Sequence, residues 1–334
     1  MRQGPGLFAG RLRRHKRQAS TSTVDRAPVP LGLLARQSLS RALPGRIELT
    51  RRRPRKVYGQ LGGLEVRLAE TKADIRRAQR LRYRVFYEEM AASPSFTAFV
   101  RRLDEDPYDA ICDHLLVNDL DLAPSIVHPW PGRRTPRVVG TYRLLRQEMA
   151  ERHHGFYTQS EYDIAPLIAR QPKDTRFLEL GRSCVLAPYR TKRTVELLWH
   201  GLWTYVREHK FDVLIGCASF EGTDPAVHAM ALSLLYHQSL APPEWRCRAH
   251  AHLHQRMDLI PKAELDLKAA LRAMPPLIKG YLRLGAFVGD GAVIDRQFGT
   301  TDVLIVMPVA NINPRYFGHF GTPDEVKSRV SPGL

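Results

Sequence analysis

Arg176-Phe-Leu-Glu-Leu-Gly-Arg-Ser-Cys-Val-Leu-Ala-Pro-Tyr-Arg-Thr-Lys-Arg-Thr-Val-Glu196 sets an acid and a base inside an apolar strand and runs directly into a helix. A soluble sheet seldom buries charges without a use for them. If Phe177 to Leu186 is a strand, its period of two puts Glu179 on one face with Phe177, Gly181 and Ser183. Arg182 then falls on the other face with Leu178, Leu180 and Cys184, and a bulge near Gly181 would turn both charges toward one cleft. Pro188 closes the strand, and Thr191 or Thr194 can cap the adjoining helix. Val195, Leu197, Leu198, Leu202 and Val206 supply a helical stripe through Trp199 and Trp203. The N–H groups at the helix start therefore face the strand end, a seat for phosphate.

Four upstream segments complete a series. Leu81-Arg-Tyr-Arg-Val-Phe86, Asp104-Glu-Asp-Pro-Tyr-Asp109, Val138-Val-Gly-Thr-Tyr-Arg-Leu-Leu145 and Phe156 precede Glu179-Leu-Gly-Arg182. Their order and spacing resemble those of acyl-homoserine-lactone synthases, members of the GCN5-related N-acyltransferase (GNAT) superfamily. With Pro275-Pro-Leu-Ile-Lys-Gly-Tyr-Leu-Arg-Leu-Gly-Ala286 and Gly289-Asp-Gly-Ala-Val-Ile-Asp-Arg-Gln-Phe298, the chain is similar to a bacterial sister family, the ornithine Nα-acyltransferases that make lyso-ornithine lipid. The resemblance spans about residues 60 to 320.

Charge is unevenly placed. Of the formal net charge of +17 over 334 residues, positions 1 to 56 carry 15 Lys and Arg against two acids. Residues 1–57 read as a basic segment without fixed structure: a solvated tail, a segment drawn to anionic lipid at the cytoplasmic leaflet, or a transit-peptide-like or nucleic-acid-binding stretch. Among these the anionic lipid surface is the expected partner, and no nucleic acid is expected. No signal-peptide apolar core and no run near 18 apolar residues occurs, so no membrane span is expected. Cys112, Cys184, Cys217 and Cys247 lack CxxC spacing, which indicates neither zinc nor a disulfide framework. Cytoplasm is the expected location, with a peripheral place on the inner membrane face.

The rest, with 43% hydrophobic residues across the whole chain, has ample material for a core. Leu64–Leu68 alternates as a strand, and Ala73–Met90 has helical spacing with Asp74 near its start, placing Arg82 and Phe86 on one face. A polar link from Ser93 to Pro107 connects it onward. His114–Val117 and Arg137–Leu145 read as strands about a proline-rich loop, Pro124 to Pro136. Beyond the central strand and helix come a strand at Phe211–Ala218 and a helix at Ala226–Tyr236. After about residue 242 a C-terminal extension holds helices at Ala263–Met274 and Leu277–Leu284 and a strand at Asp302–Met307, with Gly289-Asp-Gly291 and Gly299-Thr-Thr-Asp302 as turns and residues 321–334 as a tail. The alternation is an α/β arrangement. The resemblance makes it a GNAT fold, a central mixed sheet flanked by helices, across residues 58–320.

Acyl transfer from a thioester to an amine requires removing a proton and steadying an oxyanion. Glu179, shielded by Phe177 and Leu180, is the candidate base; an ion pair with Arg182 or Arg143 is the structural alternative. The resemblance implies pocket-shaping roles for Arg82, Arg143 and Arg182, contacts to the acidic pair Asp106 and Asp109, and pocket positions for Phe86 and Phe156. Asp104 is an extra acid. Carboxylates in a pocket also suit ornithine's side-chain ammonium. At the phosphate turn, Arg190-Thr-Lys-Arg193-Thr-Val195 lacks the glycines of the superfamily's usual loop, which favours a 4′-phosphopantetheine arm on an acidic carrier protein over coenzyme A. Val185, Arg190, Lys192, Arg193 and Thr194 are the expected donor-binding set. His250-Ala-His-Leu-His254 alternates like a metal face but lacks a companion carboxylate, and no metal or bound cofactor is expected. His114-Leu-Leu-Val-Asn-Asp119 matches the HxxxxD of glycerolipid acyltransferases by chance, lying in an apolar strand.

The resemblance thus implies transfer of a 3-hydroxy fatty acyl group from acyl carrier protein to the α-amine of L-ornithine. The alternatives are a homoserine-lactone-synthase-like enzyme, against which Met90 to Phe96 offers no tryptophan, and a non-catalytic lipid-surface module.

Overall fold

A computed structural model of the chain describes residues 56–90, 92–121 and 137–312, all within the unit Arg53–Leu334. The expectations for the basic segment before Lys56, the loop around Pro124–Pro136 and the tail after residue 320 lie outside these residues. The strands are β1 (Val57–Leu61), β2 (Leu64–Leu68), β3 (Asp113–Asp119), β4 (Arg137–Arg146), β5 (Tyr162–Asp163), β6 (Phe177–Val185), β7 (Val213–Glu221), β8 (Arg248–Ala249), β9 (Phe287–Asp295) and β10 (Thr300–Pro308). They form one sheet in the order β1-β2-β3-β4-β6-β7-β10-β9-β8-β5. It is mixed: β6 with β7 and β8 with β9 run parallel, and the remaining neighbours antiparallel.

The helices are α1 (Lys72–Tyr83), α2 (Phe96–Arg101), α3 (Gln147–Arg152), α4 (Ala165–Ala169), α5 (Lys192–His209), α6 (Ala229–Ser239), α7 (Leu267–Ala273) and α8 (Pro276–Arg283). Thr71 caps α1, and the Asp74 carboxylate accepts in turn from the Thr71 N–H, a capping box that fixes where the helix begins. The helix expected to run to Met90 changes character after Tyr83. Residues Arg84–Glu89 form a π-helical turn in which Met90 N–H reaches the Val85 carbonyl at 3.0 Å. The polar link expected after Ser93 contains α2, whose Phe96, Phe99 and Val100 are exposed.

The C-terminal part is built into the sheet. Strand β10 pairs with β7 along its whole length and β9 pairs with β10, so the extension expected from about residue 242 supplies the sheet's neighbours on that side. Gly289-Asp-Gly291 is not a turn; it lies inside β9, where the register slips against β10 between Val303 and Ile305. A bulge in a strand uses the same glycines as a turn, which is why the sequence misleads here. Gly299 does sit in a turn, and Thr300–Asp302 opens β10.

Two features of β6 position the site. Its ladder to β7 pairs Phe177 with Val213, Leu178 with Leu214 and Glu179 with Ile215, and extends no further. At Gly216 a Cβ would stand 2.3 Å from the Leu180 carbonyl oxygen, so only glycine allows the strands to approach there before they part. On the other side, the register against β4 slips between Thr141 and Arg143, and Arg182 takes φ 49°. This is the bulge anticipated near Gly181. A left-handed arginine is strained, and such strain gathers where surrounding contacts hold it.

Candidate active site

The parting of β6 and β7 opens a cleft of about 610 Å³, lined by Glu179 and by Leu180 to Val185 on one strand and by Cys217, Ala218, Ser219 and Glu221 on the other. Its volume is that of a small-molecule site. Helix α8 contributes Leu277 and Tyr281, and α5 contributes Val195. The Tyr281 hydroxyl stands 3.1 Å from that of Tyr142 on β4. With Leu180 and Cys184 these residues make one part of the cleft largely apolar, whereas Tyr157, Thr158, Glu161, Asp295 and Asp302 make another part polar.

Glu179 is buried, and its carboxylate is held by the turn Tyr157–Ser160. Tyr157 N–H donates to Oε2 at 2.8 Å, Thr158 N–H donates to Oε1 at 2.6 Å, and the Thr158 hydroxyl also donates to Oε1. Burial pushes the Glu179 carboxyl up, and these donors offset part of that rise. The structural alternative for Glu179, an ion pair with Arg182 or Arg143, does not form, because both guanidinia are directed to aspartates.

Those aspartates and arginines make one closed network. Arg82 grips Asp109 with both terminal nitrogens at 2.8 Å and gives its Nε to Asp104 at 2.7 Å. Gln79 adds a hydrogen bond to Asp109 at 2.9 Å. Arg143 donates from Nη1 to both oxygens of Asp106 at 2.6 Å. Arg182 reaches Asp106 at 3.2 Å and Asp104 at 3.4 Å. Three arginines thus face three aspartates. Burial alone would raise Asp109, but the Arg82 fork outweighs it and holds the carboxyl well below the usual range. Arg182 also lies 4.7 Å from each of the Tyr157 and Phe298 ring centres, which clamps its guanidinium beside the cleft.

Phe86, Arg143, Glu179, Arg182, Val185 and Arg190 line the cleft. Arg82, Asp106 and Asp109 support it from behind through the network. The π-helical turn separates Arg82 from Phe86: Arg82 is buried among aspartates, and Phe86 meets Phe298 edge to face at 5.5 Å. Phe156 is buried in the apolar cluster with Phe177 and Tyr162 and serves packing. At the start of α5, Thr191 is the cap, accepting from the Thr194 N–H, and Thr194 itself is buried. Arg190 bonds the Val185 carbonyl and Glu89, whereas Lys192 is exposed and only loosely near Glu196 at 3.5 Å. Arg193 packs over Gly62 in the turn between β1 and β2.

Sequence reasoning missed Glu161, Asp295, Asp302 and Cys217. Among the described residues, Glu161, Asp295 and Asp302 form the carboxylate group compact enough to take a cation, their oxygens all within 4.8 Å of one another. Burial, reinforced by Asp302, pushes Glu161 up to about 7. Burial likewise raises Asp302 to about 6. Cys217 donates its thiol to Glu161 at 3.1 Å inside the cleft. The three histidines form no metal-like group among the described residues: His250 stacks on His252 at 6.0 Å and meets the Gln159 carbonyl at 2.8 Å, and His254 faces a carboxylate the sequence did not reveal, Asp290 at 3.4 Å. One signal was present in the sequence. Asp302 opens an otherwise apolar strand, as Glu179 interrupts one.

Residues 81–200 match the family model described as Acetyltransferase (GNAT) domain. The chain is 52% identical over 265 residues to the L-ornithine N(alpha)-acyltransferase of Brucella abortus (strain 2308), covering 79% of this chain and 91% of that one. It is 53% identical over 265 residues to the protein of that name from Agrobacterium fabrum (strain C58), covering 79% and 87%. The Rhodobacter capsulatus counterpart is 44% identical over 252 residues, covering 75% and 92%.

Proposed function

We propose the activity of this chain from the premise that it belongs to the L-ornithine N(alpha)-acyltransferase family and is an N-acyltransferase with a GNAT domain. It acylates the α-amine of L-ornithine. The finer reading is that a 3-hydroxy fatty acyl group comes from the 4′-phosphopantetheine thioester of acyl carrier protein and gives lyso-ornithine lipid. The observation that carries acyl transfer is the cleft where β6 and β7 part, with a buried, firmly held carboxylate on its wall.

The neutral amine nitrogen attacks the thioester carbonyl, the C–N bond forms as the C–S bond breaks, and the amine proton passes to Glu179 directly or through one water. A carboxyl raised by burial is a better acceptor than a solvated one. Beyond Glu179 the edge of β6 has lost its partner, so backbone N–H groups there are available to the developing oxyanion. The apolar part near Leu180, Cys184, Leu277 and Tyr281 suits the acyl chain. Lys192 at the start of α5 supports an acidic carrier protein as donor. Among the described residues no helix is long and apolar enough to cross a membrane, and residues 1–56 are proposed to hold the enzyme at an anionic lipid surface.

Mass spectrometry of lipids from a host lacking ornithine lipids, expressing this chain, tests the reading. Lyso-ornithine lipid with a 3-hydroxy acyl chain is expected. Its absence from cells that hold the folded protein, ornithine and acyl carrier protein would overturn it.

A further inference from the structure

The acids first expected to meet ornithine's side chain are already neutralised. Asp104, Asp106 and Asp109 are each paired with arginine. Glu161, Asp295 and Asp302 have no such partner: among the described residues, none of them forms an ion pair within 4 Å.

Sheet register gathers two of the three. Asp302 on β10 stands opposite Ser219 on β7, and Thr300, two residues away on the same face, stands opposite Asp295 on β9. Glu161 arrives from the other side, at the C-terminal end of the turn whose first residues hold Glu179. All three line the cleft. Asp302 is 7% exposed and its Oδ1 accepts no hydrogen bond. The hydroxyls of Ser219 and Thr300 stand near enough to lower its pKa in part, but none reaches that oxygen. Glu161 has the Cys217 thiol, a weak donor. Asp295 is half-buried, and its Oδ1 accepts from the Gln297 and Phe298 N–H groups at 2.8 and 2.9 Å. Carboxylates crowded together without a basic partner, one of them buried with an empty acceptor aimed into a cavity, call for a cation. An ammonium brings three N–H donors to three carboxylates.

Resting on the reading that the acceptor is a diamino acid, we propose that Glu161, Asp295 and Asp302 seat the acceptor's side-chain ammonium and select it over acceptors with a neutral side chain. The α-amine then lies near Glu179, at the other end of the Tyr157–Ser160 turn, so a single turn spaces the two ends of the substrate.

The test compares L-ornithine with L-norvaline on one acyl donor, using the full chain, Asp302→Asn and Glu161→Gln, with thermal unfolding to certify each fold. Wild type should prefer ornithine by about 100-fold or more in kcat/KM. Each variant should lose at least about 30-fold on ornithine, mainly through KM, and its ornithine-to-norvaline preference should fall by at least about tenfold. Calorimetry with 1,4-diaminobutane reads the seat without turnover: binding by wild type and its loss in both variants is expected. Ornithine turnover with an unchanged ornithine-to-norvaline ratio in both variants rejects the seat and leaves the activity standing. Diaminobutane binding that both variants lose, in a wild type inert toward ornithine, keeps the seat and rejects the activity. Binding of Mg²⁺ or Ca²⁺ that the variants lose, with no diaminobutane binding, makes this a metal site and overturns the proposal.

Discussion

Thr158 holds Glu179 twice, its N–H at 2.6 Å and its hydroxyl both ending on Oε1. With Tyr157 N–H on the other oxygen, the carboxylate is aimed and cannot swing. Substitution by Gln keeps the shape, removes the base and presents an NH₂ where a donor already points. Glu179→Gln should therefore lower kcat by roughly 10² to 10⁴. Steady-state kinetics on protein of unchanged far-UV circular dichroism checks this; more than about a third of wild-type kcat at neutral pH would remove Glu179 from the role.

Thr158→Val removes the hydroxyl and leaves the N–H. Burial raises Glu179 and the hydroxyl opposes that rise, so without it the carboxyl moves further up. A base works only when deprotonated. The acid limb of the kcat/KM profile should consequently shift to higher pH, with little change on the plateau. A shift to lower pH, or none, would show that another group sets the limb.

Arg82 and Asp109 form a pair enclosed in the network, each at or below 6% side-chain exposure. Removing one partner of a buried pair leaves an uncompensated charge and typically costs about 3–5 kcal/mol. Asp109→Asn should lose stability on that scale in urea unfolding while the KM for ornithine changes little. Because Asp109 is held well below its ordinary value, its contribution is complete above an unfolded aspartate's pKa of about 3.9 and fades as pH falls further. The difference between wild type and variant should therefore shrink in acid. A large KM effect in a fully stable variant would place Asp109 against substrate instead.

Lys192 offers a cleaner probe of the donor than Arg190, which is tied to Val185 and Glu89. Lys192→Glu should raise KM for acyl carrier protein, and the wild-type rate should fall as salt rises, with the KM for ornithine unmoved. Equal or higher kcat/KM with the coenzyme A thioester of the same acyl chain would sink the carrier-protein reading.

The central strand, its bulge, the helix start after Pro188 and the order of acids and arginines were legible because each is local: a charge in an apolar run, a glycine beside it, a proline, a threonine cap. The polar part of the cleft was not. Glu161 joins Asp302 only because β10 returns to lie against β7 and the Tyr157–Ser160 turn packs beside them, contacts across roughly 140 residues that no local period encodes. The pairing of Asp104, Asp106 and Asp109 with three arginines was likewise read in part. That it leaves them no charge for ornithine became visible only from the hydrogen bonds.

The carboxylate trio gives stability and binding opposite dependences on pH. Glu161 is raised from 4.5 to about 7 and Asp302 from 3.8 to about 6, with Asp295, Glu179 and Arg182 facing them and Cys217 and Tyr157 beside them. An acid raised on folding binds its proton more tightly in the native state. Stability is therefore greatest below the unfolded values and falls as pH rises through the folded ones. Between about pH 4.5 and 7 the wild type should lose stability relative to Glu161→Gln, which has no such proton to release. An ammonium bound to the trio favours the ionised form, so affinity for ornithine should rise across the same window. Urea unfolding and ornithine KM at several pH values measure both. Stability of wild type rising relative to the variant with pH would mean that these carboxylates are already ionised and satisfied in the free enzyme.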